Sequence, residues 1–314
     1  MKKKVIFIYL FILSLFSSKY ISPSKIVGLI GVRNEEIMIK QCLQALSLYV
    51  DAIVILDDAS TDKTLDIIYS LKDTCKVERI IEKKSWFRDE PGDRNALLNT
   101  GRKIGGTHFI SLDADEIFSA NCLENNYLRD LVLSLNPGDS LDFPFTNLWR
   151  SIKYYRNDSS VWSPHRRTFI FCDDGKGRLE SGFIHCGRCP ANLSGQKKIA
   201  HDMSKTILHF QFVNWRNLLI KQAWYRCLEI IRNPSKSIIE INSVYGQSKD
   251  ERNIQRSKCP KKWFDGYDFF DPSIFSTPEK WREEEVLSWF DQYGKNFFEK
   301  LDIWDVDWGN NFGQ

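Results

Sequence analysis

The sequence predicts an α/β protein in which a mostly parallel sheet carries helices on both faces. Two observations predict this class. Short apolar runs without polar breaks, typical of strands buried on both faces, recur through residues 25–113. Longer segments between them repeat their apolar residues at helical spacing. Strand and helix therefore alternate from residue 25 to about residue 135, as in the βαβ units of a parallel sheet.

The individual elements follow in order. The predicted strands are KIVGLIGV (25–32), AIVILDD (52–58), VERIIE (77–82) and THFISLD (107–113). The helices between them are predicted at 34–49, 60–71 and 93–104. Asn34 is placed to cap the first helix, and Ser60 and Thr61 to cap the second, because short polar side chains favour these positions. The sequence contains no repeats.

The two ends of the chain differ from this pattern. Residues 1–21 contain three lysines followed by the apolar run VIFIYLFILSLF (5–16), which predicts a signal peptide or a short membrane anchor. The run is shorter than the ~20 residues that cross a bilayer. We expect a membrane-associated, secreted or secretory-pathway protein, and a membrane tether that faces the cytosol is the remaining alternative.

Residues 231–314 predict a helical, aromatic-rich extension whose rings pack in a core; sugar stacking on an exposed Trp is the alternative.

Composition restricts the class of partner. The 314 residues include 44 basic and 41 acidic ones, a net charge of +3, so the strong positive field of a nucleic-acid binder is missing.

Eight cysteines are scattered along the chain, apart from the CGRC sequence at 186–189, and no second ligand pair completes a zinc site. Buried thiols are expected, with one disulfide left open for an exported chain.

Polar residues follow three of the predicted strands. They are Arg33, Asn34 and Glu35, then Asp57 and Asp58, and finally Asp113, Asp115 and Glu116. Ligands of open α/β sheets bind at the carboxyl ends of the strands, so these side chains are expected to line one rim. Clustered carboxylates repel one another and resist burial unless a metal, another cation or a proton compensates them. Neither glycine-rich phosphate loop occurs, which argues against a dinucleotide-binding domain and a P-loop.

Four motifs carry a resemblance to a known family. They are VRNEE, LDDASTDKT, DRNALL and FISLDADE, in that order along the chain. They resemble the successive motifs of family 2 glycosyltransferases, which have the GT-A (nucleotide-diphospho-sugar transferase) fold with a Rossmann-like sheet. SPHRRTFIFCDDGKGRLESGFIHC (163–186) and ILHFQFVNWRNLLIKQAWY (207–225) are similar to later segments of the family. The resemblance implies a GT-A domain over 25–230.

The resemblance also implies roles for single residues. Asp113 and Asp115 would bind a divalent cation, Mn²⁺ or Mg²⁺, that bridges the diphosphate of a nucleotide-sugar donor, and His209 would complete the metal side. The residues implied to bind the donor are Arg33, Glu35, Asp57, Asp58, Arg94 and Lys221. Asp58 resembles the residue that accepts a hydrogen bond from the donor base. Glu35 could instead be an ordinary helix-start acid, and His209 a core histidine.

The general base departs from the family pattern. Family members invert the anomeric carbon, and a carboxylate takes the proton of the acceptor hydroxyl. Where relatives have His-Glu, this chain has His185-Cys186. Glu180 is the replacement predicted here, with Asp173 and Asp174 behind it; Asp115 and His185 are the other predicted catalytic residues.

The acceptor class stays open among a glycan, a lipid and a protein. Two other functions are weighed. FISLDADEI also fits a haloacid-dehalogenase phosphohydrolase with Asp113 as nucleophile and Asp115 as acid or base, although Ile117 and the late position of the strand oppose it. A non-catalytic nucleotide-sugar or glycan binder is favoured by the missing glutamate.

Overall fold

A nine-stranded mixed sheet forms the centre of the molecule. The structure, a computed structural model, describes residues 23–180 and 186–308. The strands are β1 (Ile26–Val32), β2 (Ala52–Asp57), β3 (Val77–Glu82), β4 (His108–Asp113), β5 (Glu116–Phe118), β6 (Ser140–Asn147), β7 (Tyr154–Arg156), β8 (His165–Cys172), β9 (Lys197–Ile199), β10 (Ile207–His209) and β11 (Arg256–Lys258). The helices are α1 (Ile39–Leu46), α2 (Thr64–Leu71), α3 (Glu90–Lys103), α4 (Tyr127–Leu133), α5 (Trp215–Arg232), α6 (Ile238–Gly246) and α7 (Trp281–Tyr293). Short 3₁₀ helices lie at Ala120–Asn126, Gln247–Lys249, Lys261–Trp263, Pro272–Ser276 and Lys295–Phe298.

The predicted α/β class is confirmed by the strand order. The sheet runs β3-β2-β1-β4-β8-β6-β10-β5, with β9 also paired to β6. Strands β1 to β4 are parallel, whereas β8 is antiparallel to both β4 and β6. A small second sheet pairs β7 with β11. Strands β1 and β2 are buried over nearly their whole length, as their uninterrupted apolar sequence predicts.

The strand register places the polar strand ends side by side. Val32 of β1 is opposite Asp57 of β2, and Gly31 of β1 is opposite Asp113 of β4. The predicted strands therefore end at the same edge of the sheet.

All three predicted helix starts differ from the structure, since α3 begins at Glu90 instead of residue 93, and the predicted caps of the first two helices are wrong. Helix α1 begins at Ile39 and α2 at Thr64, so Asn34, Ser60 and Thr61 cap neither helix. Asn34 instead has a positive φ of 51°, and its Oδ1 accepts a hydrogen bond from the Thr61 backbone at 2.7 Å. The Ser60 hydroxyl accepts one from the Asn34 backbone at 2.9 Å. These polar side chains join the loops after β1 and β2 because each loop satisfies the other's backbone donors.

The helical, aromatic-rich C-terminal region packs in two places. Helices α5, α6 and α7 share a hydrophobic cluster separate from the core on the sheet. Trp263 and Tyr267 return to the sheet core, where the Tyr267 hydroxyl donates to the Phe118 carbonyl at 2.8 Å. The segment that carries Trp263 and Tyr267 is therefore part of the sheet core.

All eight cysteines lie in the described residues and none forms a disulfide; six are buried. Within residues 23–180 and 186–308, no helix combines the length and apolarity needed to span a bilayer. The predicted signal peptide or anchor at 1–21 lies outside the described residues.

Candidate functional site

A cleft opens at the carboxyl ends of β1, β2 and β4. Among the residues that line it are the predicted Arg33, Glu35, Asp58, Arg94, Asp113, Asp115 and Lys221. The parallel register explains this convergence, since the loops after these strands leave the same edge of the sheet. Arg33, Glu35, Asp58, Asp113 and Asp115 of the predicted rim thus line one cleft, whereas Asn34, Asp57 and Glu116 are buried.

Arg33 and Asp58 form one end of the cleft. The Arg33 guanidinium donates to the carbonyls of Asp58 at 2.8 Å and Ala59 at 3.0 Å. Its Cζ lies 4.9 Å from the Trp86 ring centre and 5.5 Å from that of Trp281. The Asp58 carboxylate is 2.7 Å from the Lys83 ammonium. This end combines flat aromatic and guanidinium surfaces with a carboxylate acceptor.

Asp57, also predicted to bind the donor, does not line this cleft. It is buried, with 2% exposure, and its Oδ2 accepts a hydrogen bond from the Ser60 backbone at 3.0 Å. Its observed contact shapes the loop that carries Asp58.

Arg188 ties together the acidic end of β4. Its guanidinium contacts the carboxylates of both Asp113 and Glu116, and it lies over the Phe169 ring at 4.3 Å. Glu116 has no exposed side-chain surface and also accepts a hydrogen bond from the Asp113 backbone at 3.0 Å. Burial raises the pKa of Glu116, although Arg188 opposes that shift. The CGRC loop, predicted as structural, thus supplies a cation to the site.

Asp113 also lies 3.4 Å from Arg94. Burial in the cleft opposes its ionisation, but Arg188 and Arg94 together hold the pKa of Asp113 below its usual value. The carboxylate remains ionised at neutral pH.

Asp115 lies between His209 and Lys221. Its Oδ2 is 3.5 Å from His209 Nε2 and 3.6 Å from the Lys221 ammonium. Burial opposes ionisation, yet the Lys221 ammonium holds the pKa of Asp115 below its usual value. The Asn147 side-chain oxygen lies 2.8 Å from His209 Nδ1. We assign the proton to Nδ1 because an amide oxygen only accepts, which leaves Nε2 directed at Asp115.

The donor atoms present fit a divalent cation. Ligand atoms of Asp115, Glu116 and His209 all lie within 4.8 Å of one another. Glu116 Oε1 is buried without a hydrogen-bond partner among the described residues, so it has an unused acceptor beside this group. Carboxylate oxygens and an imidazole nitrogen together suit Mn²⁺. Mg²⁺ binds the same carboxylates but takes fewer nitrogen ligands. Glu116, adjacent to Asp115 in FISLDADE, was not predicted as a ligand.

Charge around the acidic end of β4 is close to balanced without a metal. The carboxylates of Asp113, Asp115 and Glu116 face the cations of Arg94, Arg188 and Lys221. Burial, reinforced by Asp115, raises the pKa of Glu35 to about 8, so Glu35 is mostly protonated at neutral pH. A bound divalent cation would therefore make this end of the cleft positive and attract a diphosphate.

Sequence reasoning missed the contribution of the C-terminal region. Trp281 and Arg282, at the start of α7, line the cleft opposite Arg33 and Glu35. The Arg282 guanidinium is 4.0 Å from the Glu35 carboxylate. The predicted helix was found, but no local pattern shows that its first turn reaches residues almost 250 positions earlier.

The predicted base remains separate from this cleft. Glu180 is exposed and is not among the cleft-lining residues, and His185 lies in 181–185, outside the described residues. The Cys186 backbone donates to Glu90 Oε2 at 2.9 Å. Glu90 does line the cleft and pairs with Arg88 at 2.6 Å. The roles of Glu180 and His185 stay predictions.

Comparison with known proteins supports the motif-based resemblance. Residues 29–128 match the family model for Glycosyl transferase family 2, which confirms the resemblance over that part of the chain. No curated protein matches the sequence.

Solved structures show weak overall similarity. TarS from S. aureus (residues 1–349) is 14% identical with a TM-score of 0.36, covering 88% of this chain and 81% of that one; of the longer TarS structure the chain spans 50%. The mannosyltransferase PcManGT from Pyrobaculum calidifontis, in complex with GDP-Man and Mn²⁺, is 15% identical with a TM-score of 0.39, covering 71% and 68%. Glucosyl-3-phosphoglycerate synthase from Mycobacterium tuberculosis is 19% identical with a TM-score of 0.27, covering 41% and 44%. At this level the likeness carries no inference about substrates.

Proposed function

We propose that this chain, whose residues 29–128 match glycosyltransferase family 2, is a metal-dependent, inverting glycosyltransferase of the hexosyltransferase type. It would move a sugar from a nucleotide-diphosphate donor to a glycan, lipid or protein acceptor in glycan biosynthesis. One observation carries the proposal. Asp115, Arg94 and Lys221 line the strand-end cleft, and Asp115 shares a group of possible metal ligands with Glu116 and His209 directly behind it.

The two ends of the cleft would bind different parts of the donor. Asp58 and the Arg33 surface would hold the nucleoside, with Trp86 and Trp281 closing around it. Arg94 and Lys221 would face the diphosphate, and fixed positive charge there stabilises a departing nucleoside diphosphate. Bound Mn²⁺ or Mg²⁺, held by Asp115, Glu116 and His209 with Asp113 beside them, supplies further neutralisation of the diphosphate.

A carboxylate must also take the proton of the acceptor hydroxyl. We propose Glu180, five residues before His185 in the sequence, for this role. Glu180→Gln should then lower kcat of transfer by at least about a hundredfold while nucleotide affinity stays the same. Unchanged transfer would remove Glu180 from the mechanism, and Glu90→Gln would be the next variant to assay.

We also propose that residues 1–21 deliver the chain to a membrane or to the secretory pathway. Fractionation of cells that express the full chain or residues 22–314 tests this. A soluble cytosolic full chain would contradict it.

The first test of the proposed function is nucleotide binding. UDP, GDP and CDP are titrated into the full chain by calorimetry, with Mn²⁺ and with EDTA. We expect one nucleotide to bind only with Mn²⁺, and Asp113→Asn/Asp115→Asn to abolish this binding. Asp291→Asn, an exposed acid on α7, is the matched control. If the folded protein binds none of the three, the transferase proposal fails, and phosphatase assays with the Asp113 variant follow.

A further inference from the structure

The start of β8 lies across the acidic strand end from the nucleotide end of the cleft. Strand β4 separates β1 and β2 from β8 in the sheet. Because β8 is antiparallel to β4, its first residues lie near the end of β4, where Asp113 is located. A molecule that approaches the donor from the side opposite the nucleotide therefore meets β8.

Arg167 is held in a fixed orientation on this side. Its Cζ lies 4.7 Å from the centre of the Phe145 ring, and its Nε donates to His165 Nε2 at 2.8 Å. His165 Nδ1 lies 2.8 Å from the Ser163 carbonyl oxygen. We assign the His165 proton to Nδ1, since a carbonyl only accepts, and Nε2 is then the acceptor for Arg167. The ring and the histidine fix the guanidinium without using its terminal Nη groups.

Arg167 has no acidic partner among the described residues, and it is close enough to Arg188, Glu116 and Asp113 to feel the charges of all three. Arg188, on the same side, differs from Arg167 in its partners. Arg188 likewise lies over an aromatic ring, that of Phe169, but both of its Nη groups contact carboxylates. The exposed side chain of Arg167 thus presents Nη donors that have no hydrogen-bond acceptor among residues 23–180 and 186–308, beside the reactive end of the site.

Arg166 shows that exposure alone does not produce this arrangement. It follows His165 on β8 and is also exposed, but alternation along the strand directs it to the other face. There its Nε donates to the Ala200 carbonyl at 2.8 Å and an Nη group reaches the His201 carbonyl at 3.4 Å.

We propose that Arg167 binds an oxyanion, a carboxylate or a phosphate, on the acceptor. A guanidinium fork pairs with either group through two parallel hydrogen bonds. The acceptor class is then an acidic sugar or a phosphate-bearing sugar, and neutral glycans are disfavoured. This inference rests on the proposed function, since it places the acceptor opposite the nucleotide.

The test measures binding to the full chain already saturated with its nucleoside diphosphate and Mn²⁺. Glucose, glucuronic acid and glucose 6-phosphate are titrated by calorimetry into the wild type, Arg167→Met, Arg167→Lys and Arg166→Met. We expect at least one anionic sugar to bind about tenfold or more tightly than glucose. Arg167→Met should remove that preference, Arg167→Lys should retain part of it, and Arg166→Met should retain all of it. Comparison of the two anionic sugars distinguishes a carboxylate from a phosphate.

Three outcomes overturn the inference. Equal binding of the three sugars, or an anion preference that survives Arg167→Met, excludes Arg167 as an acceptor contact. Loss of nucleotide binding in folded Arg167→Met would place Arg167 in the donor site instead. If the wild type binds nucleotide normally while the sugars show no preference, only this inference fails. Absence of nucleotide binding in the wild type would refute the proposed function itself.

Discussion

Replacement of Arg188 by Met tests how the acidic strand end is held. Arg188 is 10% exposed and joins Asp113 to Glu116, whose side chain is fully buried. Removal of one partner from a buried ion pair costs about 3–5 kcal/mol, because the other charge stays buried without compensation. We expect Arg188→Met to lower the free energy of unfolding by about 3 kcal/mol or more at pH 7.

The pH dependence follows from Glu116. Burial already raises the pKa of its carboxyl group in the folded protein, and loss of Arg188 raises it further. An acid with a raised folded-state pKa destabilises the protein as pH rises above its unfolded-state pKa, and protonation at lower pH removes the cost. The difference between Arg188→Met and wild type should therefore shrink from pH 7 to pH 5.

Urea unfolding at the two pH values measures both effects. Glu116→Gln should restore part of the stability that Arg188→Met loses, because the buried charge is gone. Arg252→Met is the control, since its pair with Asp250 is 85% and 49% exposed and should contribute less than about 1 kcal/mol. An Arg188→Met variant within about 1 kcal/mol of wild type at pH 7 would refute the reasoning.

Three further predictions concern the cleft. Because the pKa of Glu35 is raised to about 8, ionisation of Glu35 lowers the free energy of unfolding of the wild type between about pH 5 and pH 8. In Glu35→Gln, urea unfolding should show a smaller fall over this pH range. Parallel curves for the variant and the wild type would contradict the shift. His209→Ala should weaken Mn²⁺ binding about tenfold or more in calorimetry, and unchanged affinity would remove His209 from the ligand set. Trp281→Ala should weaken nucleotide binding several-fold. Trp304→Ala is the control, because the Trp304 ring is 44% exposed and does not line the cleft, and it should not change nucleotide binding. Equal effects of the two variants would show that only folding is disturbed.

Local patterns predicted the elements and the rim but not the contacts between distant segments. Uninterrupted apolar runs identify β1 and β2 because both faces of these strands are covered. Asp58 and Asp113 could be placed together because parallel strands end at one edge. Asn34 was misplaced because a helix cap and a cross-loop hydrogen bond use the same side-chain chemistry.

Arg188 could not be assigned in the same way. It reaches Glu116 across 72 positions, and nothing in CGRC indicates the direction of its side chain. Trp281 belongs to a helix that was predicted, but its place in the cleft depends on how α7 packs on α5 and on Trp86. Such tertiary contacts leave no periodic signal in the sequence.

The meeting of Arg33 with Trp281 also has a consequence for synthesis of the protein. The first strands can pair once residues 26–113 have left the ribosome, but the cleft wall is missing until residue 282 has emerged. The nascent chain would thus leave the nucleotide end of the cleft open to water until α7 emerges, and donor binding would begin only after that. Ribosome-bound chains carried on a C-terminal linker so that residues 1–275 have emerged should bind nucleotide far more weakly than chains in which residues 1–308 have emerged; equal binding would show that the sheet alone makes the site.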